Sequence, residues 1–310
     1  MNGRPRVLVT GASGFVGAYL VRFLAARNFA VRAASRSGQT SAGSEAVVLP
    51  DLASDFDAGP LVDGMDAVVH LAGIAHATSA IPDAVYHAVN AGAARKLAIA
   101  AGQAGVRQFI LMSSVRAQSG PCANGSLTEA IEPVPTDSYG RSKLAAELAA
   151  EAVLEGSRTA NVSLRPVLIY GPGVKGNMRT LERLARSRTL LPLGGLSAKR
   201  SLLSLENLGS AVEHCLRTSP AVRGTYLVAD ASPVSVAQII ASMRAGLGRS
   251  PGLISIPSRP FEFALRHLGS NAADRLFGNL VVDAAAFRAT GWMPQHDTAE
   301  ALAAWMRDGT

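Results

Sequence analysis

Tyr139 and Lys143 stand four residues apart in the run Tyr139-Gly140-Arg141-Ser142-Lys143. In a helix that spacing puts both side chains on one face, about one turn from each other. A phenol with a pKa near ~10 is a poor proton carrier at neutral pH. A neighbouring ammonium favours the phenolate, so the pair makes a usable acid–base group. Upstream, Ser113-Ser114 closes an apolar run, and a hydroxyl there can hydrogen-bond the oxygen that the phenol protonates. Taken alone, a Tyr-x-x-x-Lys pair also suits a solvated helix surface. The other end of the chain decides between the two.

Residues 7–17 read Val-Leu-Val-Thr-Gly-Ala-Ser-Gly-Phe-Val-Gly, an apolar run that breaks into glycines at 11, 14 and 17 before an amphipathic stretch. Strand, glycine turn and helix together form a dinucleotide-binding pattern. Gly11 permits the tight turn, Gly14 admits a pyrophosphate, and Gly17 lets the helix pack on the strand. The helix N-terminus then offers its free N–H groups and positive end to that anion.

These residues need a frame. Strand patterns fall at 6–10, 30–34, 46–49, 67–70, 108–112 and 161–166, and helix patterns at 15–27, 84–104 and 138–156. Apolar strands alternating with amphipathic helices predict an α/β fold, a doubly wound parallel sheet with helices on both faces. Ligands in such folds lie at the carboxyl ends of the strands, at the topological switch point. The loops at 73–83 and 115–137 leave from those ends and read as site loops. After residue 166 the texture turns to glycine- and proline-marked loops. Residues 1–166 are therefore read as the nucleotide-binding domain and 167–310 mainly as a smaller substrate lobe, with 202–230 returning toward the sheet.

Composition narrows the possibilities. The 310 residues are 48% apolar and 17% charged, ample for a core and unlike disorder. Cys122 and Cys215 make neither a disulfide framework nor a metal motif. No run of about 18 apolar residues reads as a membrane span. Arg4 and Arg6 faintly mimic a signal peptide, but glycines and Arg22 interrupt the apolar stretch, so a cytoplasmic protein is expected. The net charge of +7 comes with no long basic block and only 5% aromatics, which argues against nucleic acid. The local excess is Lys175, Arg179, Arg183, Arg186, Arg188, Lys199 and Arg200 against Glu182. That is either a solvated face or a means of steering an anion.

With these motifs in place, the chain resembles the extended short-chain dehydrogenase/reductase family, in its nucleotide-sugar epimerase/dehydratase branch. The shared residues are Thr10 to Gly17, Asp51-Leu52, His70-Leu71-Ala72-Gly73, Asn90, Ser113-Ser114, Tyr139 to Lys143 and Arg165-Pro166. Tyr170 to Asn177 and Lys199-Arg200-Ser201 look like a narrower group, the bacterial reductases and epimerases acting at C4 of UDP-N-acetylhexosamines for surface polysaccharide.

The resemblance implies a Rossmann sheet and a set of roles. Gly11, Ser13, Gly14, Phe15, Val16 and Gly17 would hold the dinucleotide, Asp51 and Leu52 its adenine, and Leu71, Ala72, Gly73 and Pro166 the nicotinamide side. Asn90 matches the family's active-site asparagine, or is a plain surface amide. Lys143 would hold the nicotinamide ribose, Tyr139 carry the proton and Ser114 orient the C4 oxygen. Ser114 is preferred to Ser113 because its 25-residue spacing to Tyr139 matches the family pattern. Ser113, Arg116, Asn177, Leu193 and Arg200 join the expected substrate contacts, the last two as uracil wall and diphosphate partner. Asn177 is otherwise a helix cap and Arg200 a surface charge. Tyr170-Gly171-Pro172 would border the sugar and His76 the acetamido group, unless that histidine faces solvent.

The second strand ends in Ser35-Arg36 where NAD-binding members carry a carboxylate. Ser35 and Arg36 suit a 2′-phosphate, which favours NADP(H), although an arginine stacked on adenine would leave NAD possible. Val115-Arg116 replaces the Asp-Glu pair of the family's dehydratases, so dehydration is not expected and no metal is. The expected activity is NADPH-dependent reduction at C4 of a UDP-4-keto-6-deoxy-N-acetylhexosamine. The alternatives are a UDP-hexose or UDP-N-acetylhexosamine 4-epimerase with retained NAD, or an inactive NAD(P)-binding regulator. A homodimer through the helices at 84–104 and 138–156 fits the alanines at 145, 146, 149 and 150, which equally suit packing on the sheet.

Overall fold

The computed structural model describes residues 3–39, 44–75, 81–255 and 278–308. Its centre is a seven-stranded sheet of β1 (Arg6–Thr10), β2 (Ala30–Ser35), β3 (Glu45–Val48), β4 (Ala67–His70), β5 (Gln108–Met112), β6 (Ala160–Pro166) and β7 (Gly224–Val228). The spatial order is β7-β6-β5-β4-β1-β2-β3, and every pairing is parallel. Strand order reverses between β1 and β4, which is the switch point of the expected Rossmann sheet.

The apolar runs explain the layers. In β1, Val7 and Val9 enter one core and Leu8 the other. In β5, Ile110 and Met112 alternate with Phe109 and Leu111 in the same way. This period of two buries both faces of central strands, so helices must cover each. The first core also takes in Leu20 and Leu24 of α1 (Phe15–Ala26). The second takes in Leu97 and Ala101 of α2 (Ala93–Gln103) and Ala146 and Ala150 of α3 (Ser138–Leu154). Those two alanines therefore pack on the sheet, while Ala145 and Ala149 are half-buried.

The segment read as one helix over 84–104 is three pieces: a turn at Asp83–Tyr86, a π-helical stretch at His87–Gly92, and α2. Such wide turns re-aim a side chain at a cost in regularity. Here Asn90 lies in that stretch and reaches the backbone of Ile74.

Beyond β6, helices α4 (Gly176–Arg186), α6 (Val236–Gly246) and α7 (Thr298–Asp308) share a third core with Tyr170, Met178, Ile240, Met243, Leu302 and Trp305. Residues 202–228 divide. Leu202–Ser204 pairs with Leu168–Tyr170 outside the main sheet. Helix α5 (Leu205–Arg217) joins the first core, and β7 forms the edge beside β6. No described helix is long and apolar enough to cross a membrane.

Candidate active site

The glycine turn lies at the switch point. Gly11 has φ +73°, and a Cβ on it would stand 2.9 Å from the Ala72 nitrogen after β4. A Cβ at 17 would overlap the Gly11 carbonyl oxygen. Only glycine allows β1, the loop after β4 and α1 to converge so closely. Gly14 is the cap of α1 and supplies no side-chain bond to its N-terminus. Ser13 and Gly14 are exposed, as an anion cradle requires. Phe15 and Val16 do something else. Phe15 packs on the third core and Val16 on the first, so they fix the helix against its neighbours.

Beneath the turn, Thr10 Oγ1 and His70 Nδ1 are hydrogen-bonded at 2.7 Å, and the Ala72 amide donates to the same hydroxyl at 3.3 Å. Burial first, and then the Lys143 ammonium, push the His70 pKa down to about 3. A neutral imidazole thus ties β1 to β4 below the cleft. Leu71 is half-buried against the first core and Ala72 buried in the second.

Gly73, Asn90 and Lys143 meet. A Cβ at 73 would stand 2.5 Å from Asn90 Oδ1 and 3.8 Å from Lys143 Nζ. Asn90 Oδ1 accepts from the Ile74 amide at 2.7 Å, and Nδ2 donates to the Ile74 carbonyl at 3.0 Å and to Ser142 Oγ at 2.8 Å. Asn90 is therefore a buried clamp between the loop after β4 and α3, and no surface amide. Lys143 Nζ donates to the Met112 carbonyl at the end of β5, 2.8 Å away. Burial lowers its pKa to about 8, with Glu147 pulling the other way.

One turn earlier on α3, Tyr139 is half-buried, and Ser114 stands close enough to its phenol to bear on its titration. Burial raises the phenol to about 12, Asp137 and Tyr86 also raise it, and Ser114 and Arg116 lower it. Ser114 and Arg116, on the 114–116 turn, lower the phenol, while the Lys143 ammonium donates to the Met112 carbonyl.

Ser113 differs from the expectation. Its hydroxyl donates to Glu147 in a buried set that continues to Arg165, whose Nε and Nη2 meet the same carboxylate at 3.0 and 2.6 Å. This serine braces the end of β5 from below and does not face the cleft. Arg116 is likewise engaged with protein, its Nη2 donating to Asp137 Oδ2 at 2.6 Å.

Ser35 is buried, with its hydroxyl donating to the Gln39 carbonyl at 3.1 Å, while Arg36 is exposed beside it. Asp51 turns back on its own loop, its Oδ1 accepting from the Ala53 amide at 3.0 Å, and Leu52 packs on the second core. Pro166 ends β6 in register with Val228. Asn177 is exposed in the first turn of α4, but the cap there is Lys175, so the capping alternative fails. Leu193 packs on the third core. Arg200 donates to the Gly278 and Pro121 carbonyls at 2.9 and 2.6 Å, which ties the lobe to the 115–137 loop and makes it no plain surface charge. His76 lies outside the described residues.

Sequence reasoning passed over Asp137, Gly140 and Glu147. Asp137 caps α3 by accepting from the Gly140 amide at 2.7 Å. A Cβ on Gly140 would overlap the Arg116 carbonyl oxygen, so this glycine lets Tyr139 approach Ser114. Glu147 lies one turn beyond Lys143 on the same face. The capping spacing and the i+4 spacing were both visible signals.

The close approach of Gly11, Gly17 and Ala72 leaves room for a dinucleotide backbone, and Gly73, Asn90 and Lys143 gather after β4 beside it. The chain matches the model of the NAD dependent epimerase/dehydratase family over residues 7–229. It is 31% identical over 296 residues to a UDP-glucose 4-epimerase of Vibrio cholerae, covering 93% of this chain and 90% of that one. Among solved structures it is similar to MoeE5 in complex with UDP-glucuronic acid and NAD, with TM-score 0.75 and 25% identity over 98% of this chain and all of that one. It shares its fold with a human epimerase family protein, SDR39U1, solved with NADPH, at TM-score 0.77 and 22% identity, covering 98% and 100% of the two chains. The chain belongs to the NAD dependent epimerase/dehydratase family, within the extended short-chain dehydrogenase/reductase enzymes.

Proposed function

We propose that this enzyme moves a hydride at C4 of a UDP-sugar. The observation that carries the reading is the shelf of Ser114, Tyr139 and Lys143 beside Gly73, at the switch point of the sheet. A bound nicotinamide dinucleotide would carry the hydride, giving it in reduction and accepting it in oxidation. The Gly11–Gly17 turn and the α1 N-terminus would hold its pyrophosphate, and Lys143 its nicotinamide ribose. Ser114 orients the C4 oxygen through its hydroxyl, and Tyr139 Oη takes or gives the proton there. Asn177 and Arg200 border the diphosphate end, and Leu193 the base.

Two observations divide the finer reading. Ser35-Arg36, with no carboxylate at the end of β2, favours NADP(H) and reduction of a UDP-4-keto-6-deoxy-N-acetylhexosamine. Likeness to the Vibrio cholerae epimerase across nearly the whole chain favours 4-epimerisation with retained NAD. Purified enzyme given NADPH and a 4-keto UDP-sugar consumes NADPH if the first holds. Interconversion of UDP-hexoses without net cofactor use establishes the second. Tyr139→Phe is expected to lower kcat by about 10²–10⁴ in either case while leaving the fold intact. An unchanged kcat removes the whole reading, whereas a parent protein with no turnover on either substrate would leave a regulator without catalysis.

A further inference from the structure

Between the two residues that touch the C4 oxygen in the proposed reaction runs a continuous link of polar contacts. The Arg116 amide donates to Ser114 Oγ at 3.1 Å, which caps the short turn Val115–Ala117. The Arg116 guanidinium then donates from Nη2 to Asp137 Oδ2 at 2.6 Å. The other oxygen of Asp137 caps α3, two residues before Tyr139. Gly140 seats that helix directly on the Arg116 carbonyl. The turn bearing Ser114 and the helix bearing Tyr139 are therefore joined through one ion pair. Its charge is unevenly answered. Arg116 Nη1 is buried with no hydrogen-bond partner among the described residues, so the carboxylate meets only one side of the guanidinium.

We propose that Arg116 and Asp137 are positioning residues, a latch that holds the turn bearing Ser114 against the helix bearing Tyr139. The proposal rests on Tyr139 being the acid–base group. Arg116 then acts through Tyr139 and makes no contact with the sugar of its own. The other groups facing the phenol are Ser114 and Tyr86, while Lys143, on the same helix, spends its ammonium on the Met112 carbonyl. Of the charged groups that bear on the phenol, Arg116 favours the phenolate and Asp137 opposes it. Removing either one therefore shifts the phenol in a predictable and opposite sense.

The test is the pH profile of kcat/KM in the direction that oxidises the sugar hydroxyl, where Tyr139 must first lose its proton. Arg116→Gln leaves the Asp137 carboxylate facing the phenol alone. Its acid limb is expected to move up by about one pH unit, a roughly tenfold loss at a fixed pH below the limb. Asp137→Asn keeps the helix cap, since asparagine caps as well as aspartate. Its limb is expected to move down. Arg116→Lys retains the cation and stays nearer the parent than Arg116→Gln, and the double variant lies between the single ones. If both single variants lose rate with the limb unmoved, or move it in the same direction, the latch is merely structural and the inference fails. Tyr139→Phe separates that failure from failure of the proposed function. An inactive Tyr139→Phe beside unmoved limbs leaves the function standing, whereas an active one overturns both.

Discussion

Two buried carboxylates sit under the two halves of the site and are answered in opposite ways. Beneath the proposed catalytic shelf, Glu147 faces the Arg165 guanidinium through Nε and Nη2 and takes the Ser113 hydroxyl as well. Where the lobe meets the sheet, Asp230 has only neutral donors among the described residues: the Ser204 amide at 3.0 Å, Asn207 Nδ2 at 2.7 Å and the Tyr170 hydroxyl at 2.8 Å. Burial outweighs those donors and raises Asp230 to about 6. The shelf thus rests on a matched ion pair, while burial in the lobe pushes the Asp230 carboxyl well above the usual carboxylate range.

The largest expected effect breaks the matched pair. The side chains of Arg165 and Glu147 are only 6% and 4% exposed, so Arg165→Met strands a carboxylate out of water. A loss of about 3–5 kcal/mol is expected in urea unfolding. Adding Glu147→Gln to that variant should restore much of it, because no unpaired ion then remains. A double variant as unstable as the single one contradicts the account.

Next comes the lobe. The Asp230 pKa is higher in the folded chain than its ordinary 3.8, so the fold prefers the protonated form. The stability this group contributes is full below about pH 4 and is lost as pH rises through about 6. Asp230→Asn removes that dependence. Between pH 4 and 7 the variant should gain on the parent by on the order of 3 kcal/mol. Parallel stability curves for the two proteins would show that the neutral donors already hold the carboxylate.

The smallest is Gly140→Ala, which tests how closely the shelf is packed. The added methyl must displace the 114–116 turn, at about 1–3 kcal/mol. It should also depress kcat more than KM, since it parts Ser114 from Tyr139. A melting temperature and kcat equal to those of the parent would mean that the seam is looser than its geometry implies.

Much of this molecule can be read along the chain. Central strands such as 67–70 and 108–112 lie within a residue of where apolar runs place them, because burial on both faces leaves little freedom. The glycine turn was legible for a similar reason, since few residue types can make so close an approach. The π-helical stretch at 87–92 was not, because a helical period continues through it and only Asn90's reach to Ile74 demands the wider turn. Ser113 and Arg116 were placed at the substrate by position alone. Their partners, Glu147 and Asp137, lie 34 and 21 residues away, beyond any local pattern.

Local chemistry along the chain determined the parallel α/β frame, the nucleotide cradle and the choice of Tyr139, Ser114 and Lys143, for periodicity, glycine and helical spacing each act over a few residues. Which partner Ser113 and Arg116 take, and which buried carboxylate is answered by an ion, were decided by the fold alone. Charge and burial act through space, and space is set only once distant segments have packed together.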